Sequence, residues 1–265
     1  MTMDESCHKG LAAALRRARL IAGHTLGEAL RMRLALLLAL TGVAFVLAAL
    51  WLREFNFGAA ELKFIGDFGL GAIGFLGTVL AALASAQLFF SDLASGEVGC
   101  VMARPVRRWE YVWGKLAGVA ALLALFTAAL ALVLGAVIAT REAQLGASFA
   151  PLPVFLQACA MVWLKITLVA AMTLLVCSYA GTALFASCAG LLLAVMAHLR
   201  PFAGDGGALA VVRLWPNLGL FDAETLLAMG HPPAGPWLLG LVGYWAVYVL
   251  IFVGLASHVF KHREF

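Results

Sequence analysis

Six apolar blocks, each roughly 20 residues long and separated by short polar stretches, constrain this 265-residue chain more than anything else in it. They are Leu34 to Leu52, Phe68 to Phe90, Leu116 to Ile138, Val154 to Cys177, Thr182 to His198 and Trp237 to Phe260. About 20 helical residues cover the roughly 30 Å of hydrocarbon in a bilayer. The chain is 64% hydrophobic and 12% charged, about half the charged fraction of a soluble domain. It has too little polar surface to cover such a core in water. The expected fold class is therefore all-α, a polytopic membrane protein with a six-transmembrane-helix bundle over residues 34–265. Only Ser178, Tyr179, Ala180 and Gly181 separate the fourth and fifth blocks, which predicts a very tight turn there.

Orientation follows from the basic residues, which favour cytoplasmic loops. Counting from a cytoplasmic N-terminus, one side collects Lys9, Arg16, Arg17, Arg19, Arg31, Arg33, Arg104, Arg107, Arg108, Lys115, Lys261 and Arg263. The other has Arg53, Lys63, Arg141, Arg200 and Arg213. Both termini are expected inside, in a cell (inner) membrane, and the small net charge of +4 carries no hint of nucleic-acid binding. Residues before Leu34 form no continuous apolar run of the kind a secretory signal needs. Within this cytoplasmic segment, 1–33, residues Leu11 to Met32 read as an N-terminal amphipathic interfacial helix. Leu11, Leu15, Ala18, Ala22, Leu26 and Ala29 share one face, and Arg17, His24, Glu28 and Arg31 the other. The same arginines equally suit a plain stop signal.

Inside the spans, Gly69, Gly71, Gly74, Gly77, Thr78, Ala82 and Ser85 mark the second block as a packing helix. Gly114 and Gly118 form a GxxxG, a common pattern that also serves dimerisation. Gln87 is expected to hydrogen-bond within the bundle. Lys165, flanked by Trp163 and Thr167, is the plainly ionisable residue deep in a span. An ammonium at mid-bilayer costs on the order of 3 kcal/mol, so Lys165 needs a partner, a carbonyl cluster or a wet cavity. It is a candidate translocation-path or interface residue, with snorkelling as the plainer reading. Cys159, Met161, Met172, Cys177, Cys188 and Met196 lack metal-ligand spacing and read as core, so no metal site is expected; with Cys7 and Cys100 they imply no disulfide framework.

The segment 199–236 is expected outside, with RLWPNLGLF dipping to the interface and Asp222 capping a short helix through Ala228 or Met229. It suits a structural cap, or a lid. No phosphate loop, HExxH or GxSxG occurs, so no catalytic residue is expected and the chain is not expected to be an enzyme. Every Asp and Glu lies outside the six blocks, which argues against gradient coupling. The remaining energy source is a soluble nucleotide-hydrolysing partner. The charged island 91–115, DLASGEVGCVMARPVRRWEYVWGK from Asp92 on, is the best dock for it.

FFSDLASGEVGCVMARPVRRWEYVWGKLAG resembles the region between the second and third helices of ABC-2 type transporter permeases. RLIAGHTLGEALRMRL resembles that family's approach to its first helix, WPNLGLF its Pro-Asn segment before the last, and VFKHREF its basic stop. The short first outside loop is similar to the small six-helix permeases of nitrous-oxide-reductase maturation and gliding-motility systems. The resemblance implies a half-transporter, with two identical or related permease chains and separate ABC ATP-binding subunits. ATP and Mg would sit on the partner, and this chain would bind no cofactor. It further implies that Asp92, Glu97, Arg104, Pro105, Arg107, Arg108, Trp109 and Glu110 form a coupling element against the ATPase, although basic and aromatic residues at a membrane edge also serve as ordinary anchors. The alternatives are a non-transporting scaffold that recruits a soluble partner, and a gradient-driven carrier using Lys165.

Overall fold

A computed structural model describes residues 3–52, 61–96, 107–146, 149–200, 215–223 and 235–261, with backbone alone for residues 3–13, 52 and 261. Among these residues all long regular elements are helical: α1 (Met3–Leu30), α2 (Arg33–Leu52), α3 (Glu61–Ala94), α4 (Arg108–Leu145), α5 (Leu152–Tyr179), α6 (Ala183–Leu199) and α7 (Gly235–Lys261). A 3-10 turn, Leu218–Phe221, lies between α6 and α7. Five helices, α2, α3, α4, α5 and α7, are long and apolar enough to cross a membrane, and the chain is a multi-pass membrane protein. The fifth predicted span falls on α6, which at 17 residues extends about 26 Å, just under the hydrocarbon thickness.

The other predicted spans match helices, but α3 and α4 are much longer than their apolar blocks, at 34 and 38 residues. Charged ends explain the difference: hydropathy falls at Glu61, Lys63 and Asp67, and again at Arg108 and Glu110, while the backbone stays helical. Helix ends follow local chemistry. Gly146, at φ 64°, closes α4 in the left-handed conformation that glycine adopts freely, and its N–H returns to the Glu142 carbonyl. Pro153 sits in the first turn of α5, where its missing N–H costs nothing. The turn after α5 spans residues 180–182, and the Thr182 hydroxyl caps α6 by accepting from the Phe185 N–H.

α5 is the buried centre, packed against α3, α4, α6 and α7. α2 and α7 lie outside and expose Leu36, Leu40, Trp51, Leu239, Leu250 and Leu255, a dressing suited to lipid. The glycines of α3 divide its surface. A Cβ at Gly69 would strike Leu134 of α4, and one at Gly77 would lie 3.1 Å from Ile166 of α5. At Gly71 it would meet nothing within 4 Å. One side of the packing helix therefore makes close approaches and another leaves room. Gln87, expected to hydrogen-bond inside the bundle, is exposed.

α1 also departs from expectation. Its main packing partner is α4, and the surface it buries centres on Ala14, Thr25 and Ala29, with Ala18, Ile21 and Ala22 beside them. Leu15 and Leu20 are exposed, and the side chain of Leu11 lies outside the described residues. The GxxxG of α4 explains the choice of face. A Cβ on Gly114 would sit 2.7 Å from Ile21 and 3.0 Å from the Ala18 carbonyl oxygen; one on Gly118 would sit 2.6 Å from Thr25 and 2.9 Å from the Ala22 oxygen. Small side chains on both helices let the backbones touch, and that contact outweighs burial of two leucines.

Candidate functional site

Backbone contact between α1 and α4 brings the polar face of α1 onto the predicted docking island. Arg17 donates two hydrogen bonds to Glu110, from Nε at 2.7 Å and Nη2 at 2.9 Å, and the Glu110 side chain is fully buried. The hydrogen bonds it donates to this carboxylate, then the carboxylate's charge, hold the Arg17 guanidinium above its ordinary pKa. One helical turn deeper, Lys115 Nζ donates to Asp92 Oδ1 at 2.7 Å and to the Leu88 carbonyl at 2.9 Å. Tyr111 donates its hydroxyl to the other Asp92 oxygen, at 2.7 Å, and Glu28 of α1 stands 3.8 Å from the same ammonium. Arg17 and Glu28, expected on a solvent- or head-group-facing surface, instead turn into the bundle and find opposite charges there.

Aromatic packing draws α7 into the same junction. The Tyr111 and Phe260 rings stack at 5.7 Å, Phe89 meets Phe260 edge-on at 5.7 Å, and Arg108 donates to the Phe260 carbonyl at 2.8 Å. α1, α3, α4 and the end of α7 are thus fastened where the chain leaves for residues 97–106. Of the eight residues expected at a partner surface, Asp92 and Glu110 direct their carboxylates inward, and Arg108 is half-buried. Arg107 and Trp109 face outward. Glu97, Arg104 and Pro105 lie outside the described residues, as does Cys100, and of Cys7 the backbone alone is described. Burial of Asp92 and Glu110 could not be read locally, since their partners are 23 and 93 residues away.

The second charged site lies deep between the other ends of the helices. Lys165 of α5 donates to Asp222 Oδ1 at 2.6 Å, supplying the counter-charge that its depth demands. Asp222 gets there because residues 215–223 pack into the bundle, with Leu218, Phe221 and Ala223 buried. Asn217 starts the 3-10 turn by accepting from the Gly219 N–H, and its own N–H donates to the Tyr244 hydroxyl at 2.7 Å. Phe221 packs on Tyr244 and Trp215 on Phe252, eight residues further along α7. Non-helical backbone at such depth is tolerated when protein surrounds it. The expected short helix after Asp222 falls on residues 224–230, outside the described residues.

Among the described residues no group of three or more His, Cys, Asp or Glu side chains could hold a metal ion. Cys159 and Cys177 are buried and Cys188 is exposed. The first site is a closed ionic and aromatic junction between α1, α3, α4 and α7, and the second is a lysine–carboxylate pair beside a cavity. In comparison with known proteins, residues 52–211 match the family model described as "ABC-2 family transporter protein". No curated protein matches the chain.

Proposed function

Because this chain belongs to the ABC-2 transporter family, we propose that it is a permease subunit driven by ATP hydrolysis on a separate ATP-binding subunit. That partner docks on the charged island at the junction of α3 and α4, holds the ATP and Mg, and leaves this chain without a cofactor of its own. Two permease chains, identical or related, complete the transporter, and the cycle exports or moves a substrate not identified by these residues. α2 to α7 provide six crossings of the cell membrane, with α6 as the short one. α1 lies along the cytoplasmic interface beside α4, and both termini face the cytoplasm, in keeping with the excess of Lys and Arg on that side. Lys165 stands on the translocation path.

The observation carrying this reading is the ionic and aromatic junction at the base of α3 and α4. Asp92 lies on α3, Lys115 and Tyr111 on α4, and Phe260 on α7, so a push on the intervening segment moves three helices as one. Arg107 and Trp109, which face outward, are the described residues left to touch the ATPase. Co-purification with the ATPase tests the reading. Arg107→Glu with Trp109→Ala is expected to remove most ATPase recovery and stimulation while membrane insertion is kept. Unchanged recovery, or ATP-independent flux in reconstituted vesicles, refutes it.

A further inference from the structure

Lys165 and Asp222 line a cavity of about 440 Å³ bounded by α3, α5, α6 and the 3-10 turn, within the roughly 300–1,000 Å³ range of small-molecule sites. Its other walls are mostly apolar, with Thr78 and the exposed His198 as further polar groups. Gly71 and Gly74 form the open side of α3: a Cβ at Gly71 meets nothing within 4 Å, and one at Gly74 meets Val162 at 3.9 Å. Among the described residues that line it, Lys165 is the one Lys or Arg. We propose that this cavity binds an amphipathic anion, whose acidic head takes the place of the Asp222 carboxylate at Lys165 Nζ while its apolar body fills the space beside Gly71 and Gly74.

An ammonium at this depth is stabilised by an anion beside it. Two anions can serve, and they compete. Asp222 sits at the end of a four-residue turn with its side chain 36% exposed, whereas Lys165 is 15% exposed. The lysine is thus the fixed partner and the carboxylate the replaceable one. Exchanging one acid for another conserves both the charge and the hydrogen bond to Nζ. A neutral amphiphile gains only the apolar contacts, and a cationic one meets an ammonium already paired. Head-group charge therefore decides selection, and the tail supplies burial of apolar surface.

This deepens the permease reading by naming a ligand class, but binding itself is measurable without any ATPase. The full chain in phosphatidylcholine nanodiscs would be titrated with radiolabelled dodecanoate, dodecyl phosphate, dodecanol and dodecylammonium, with empty nanodiscs as background. Both acids are expected to bind saturably and about tenfold or more tighter than the alcohol or the amine. Whichever acid binds tighter identifies a fatty-acid-like or a phospholipid-like head. Lys165→Met should erase the difference between acid and alcohol, and Gly71→Leu should weaken both by filling the cavity. Asp222→Asn should tighten acid binding several-fold, since it removes the competing charge; a merely structural ion pair predicts the opposite sign. Equal affinity for acid and alcohol in the unaltered chain overturns the proposal, as does weaker acid binding in Asp222→Asn that elutes as a folded species. The unaltered chain alone decides the question if a variant misfolds. A negative result here leaves ATPase recruitment intact, and failed recruitment leaves acid binding intact.

Discussion

The two lysine–carboxylate pairs of this bundle use the same chemistry for opposite ends. At the base, Lys115 is 2% exposed and Asp92 8%, and every charged atom of the pair is held by a second group: Leu88 on the ammonium, Tyr111 on the carboxylate. In the other half, Lys165 and Asp222 meet at the edge of a cavity, with the carboxylate a third exposed. Enclosure, not the bond itself, separates a junction that must stay shut from a site that can exchange. A buried pair with both ends satisfied has no lower-energy alternative. A pair beside open space does.

That contrast breaks first at Lys115. Lys115→Met strands Asp92 in a buried site, and removing one partner of a buried pair costs about 3–5 kcal/mol. Thermal unfolding in detergent should show a large fall in midpoint. The double change Lys115→Met with Asp92→Leu should recover most of it, because no lone charge remains. Failure of the double change to recover would mean that the pair acts through geometry at Tyr111 and Leu88 and not through charge.

The next largest effect is expected where α1 meets α4. Gly118→Val forces a side chain to within 2.9 Å of the Ala22 carbonyl oxygen, a backbone atom that cannot step aside. Overpacking of this kind costs roughly 1–3 kcal/mol. The expected readout is faster protease cleavage within α1, with α3 to α7 keeping their protection. Arg17→Lys should produce the same cleavage more weakly. A lysine cannot reproduce the two parallel bonds that the guanidinium makes to Glu110.

These two sites also show where the sequence was legible. Apolar blocks of fixed length mark α2 to α7, because lipid rewards an uninterrupted run and hydropathy reads it directly. The depth of Lys165, and so its need for a partner, follows from the same reading. The identity of that partner does not. Asp222 lies 57 residues away on a segment that looks interfacial, and the packing of Phe221 and Trp215 on α7, with the Asn217 N–H on Tyr244, carries it inward. The amphipathic pattern of α1 misleads for a related reason. Periodicity ranks faces by apolar content, whereas Gly114 and Gly118 select the face with the smallest side chains, and that places Arg17 and Glu28 against the bundle. Long-range close approach has no local signature beyond the glycines themselves, and a GxxxG does not say whether its partner is another copy or another helix of the same chain.

The smallest effect is expected at the outer pair, and its smallness is the sharpest test of the comparison. Lys165→Met removes a cation whose carboxylate partner keeps a third of its side-chain surface accessible, so Asp222 can turn toward the cavity when the lysine is gone. The loss is expected to be well below that at Lys115, whose carboxylate partner is sealed from any alternative contact. The unfolding midpoint in detergent should therefore move only slightly, in contrast to the fall at Lys115. Hydrogen exchange over 215–223 should rise at the same time, because the salt bridge ties that turn to α5. A loss in Lys165→Met as large as that of Lys115→Met would show that both pairs are closed structural joints, and the cavity would then be a packing defect with no role in exchange.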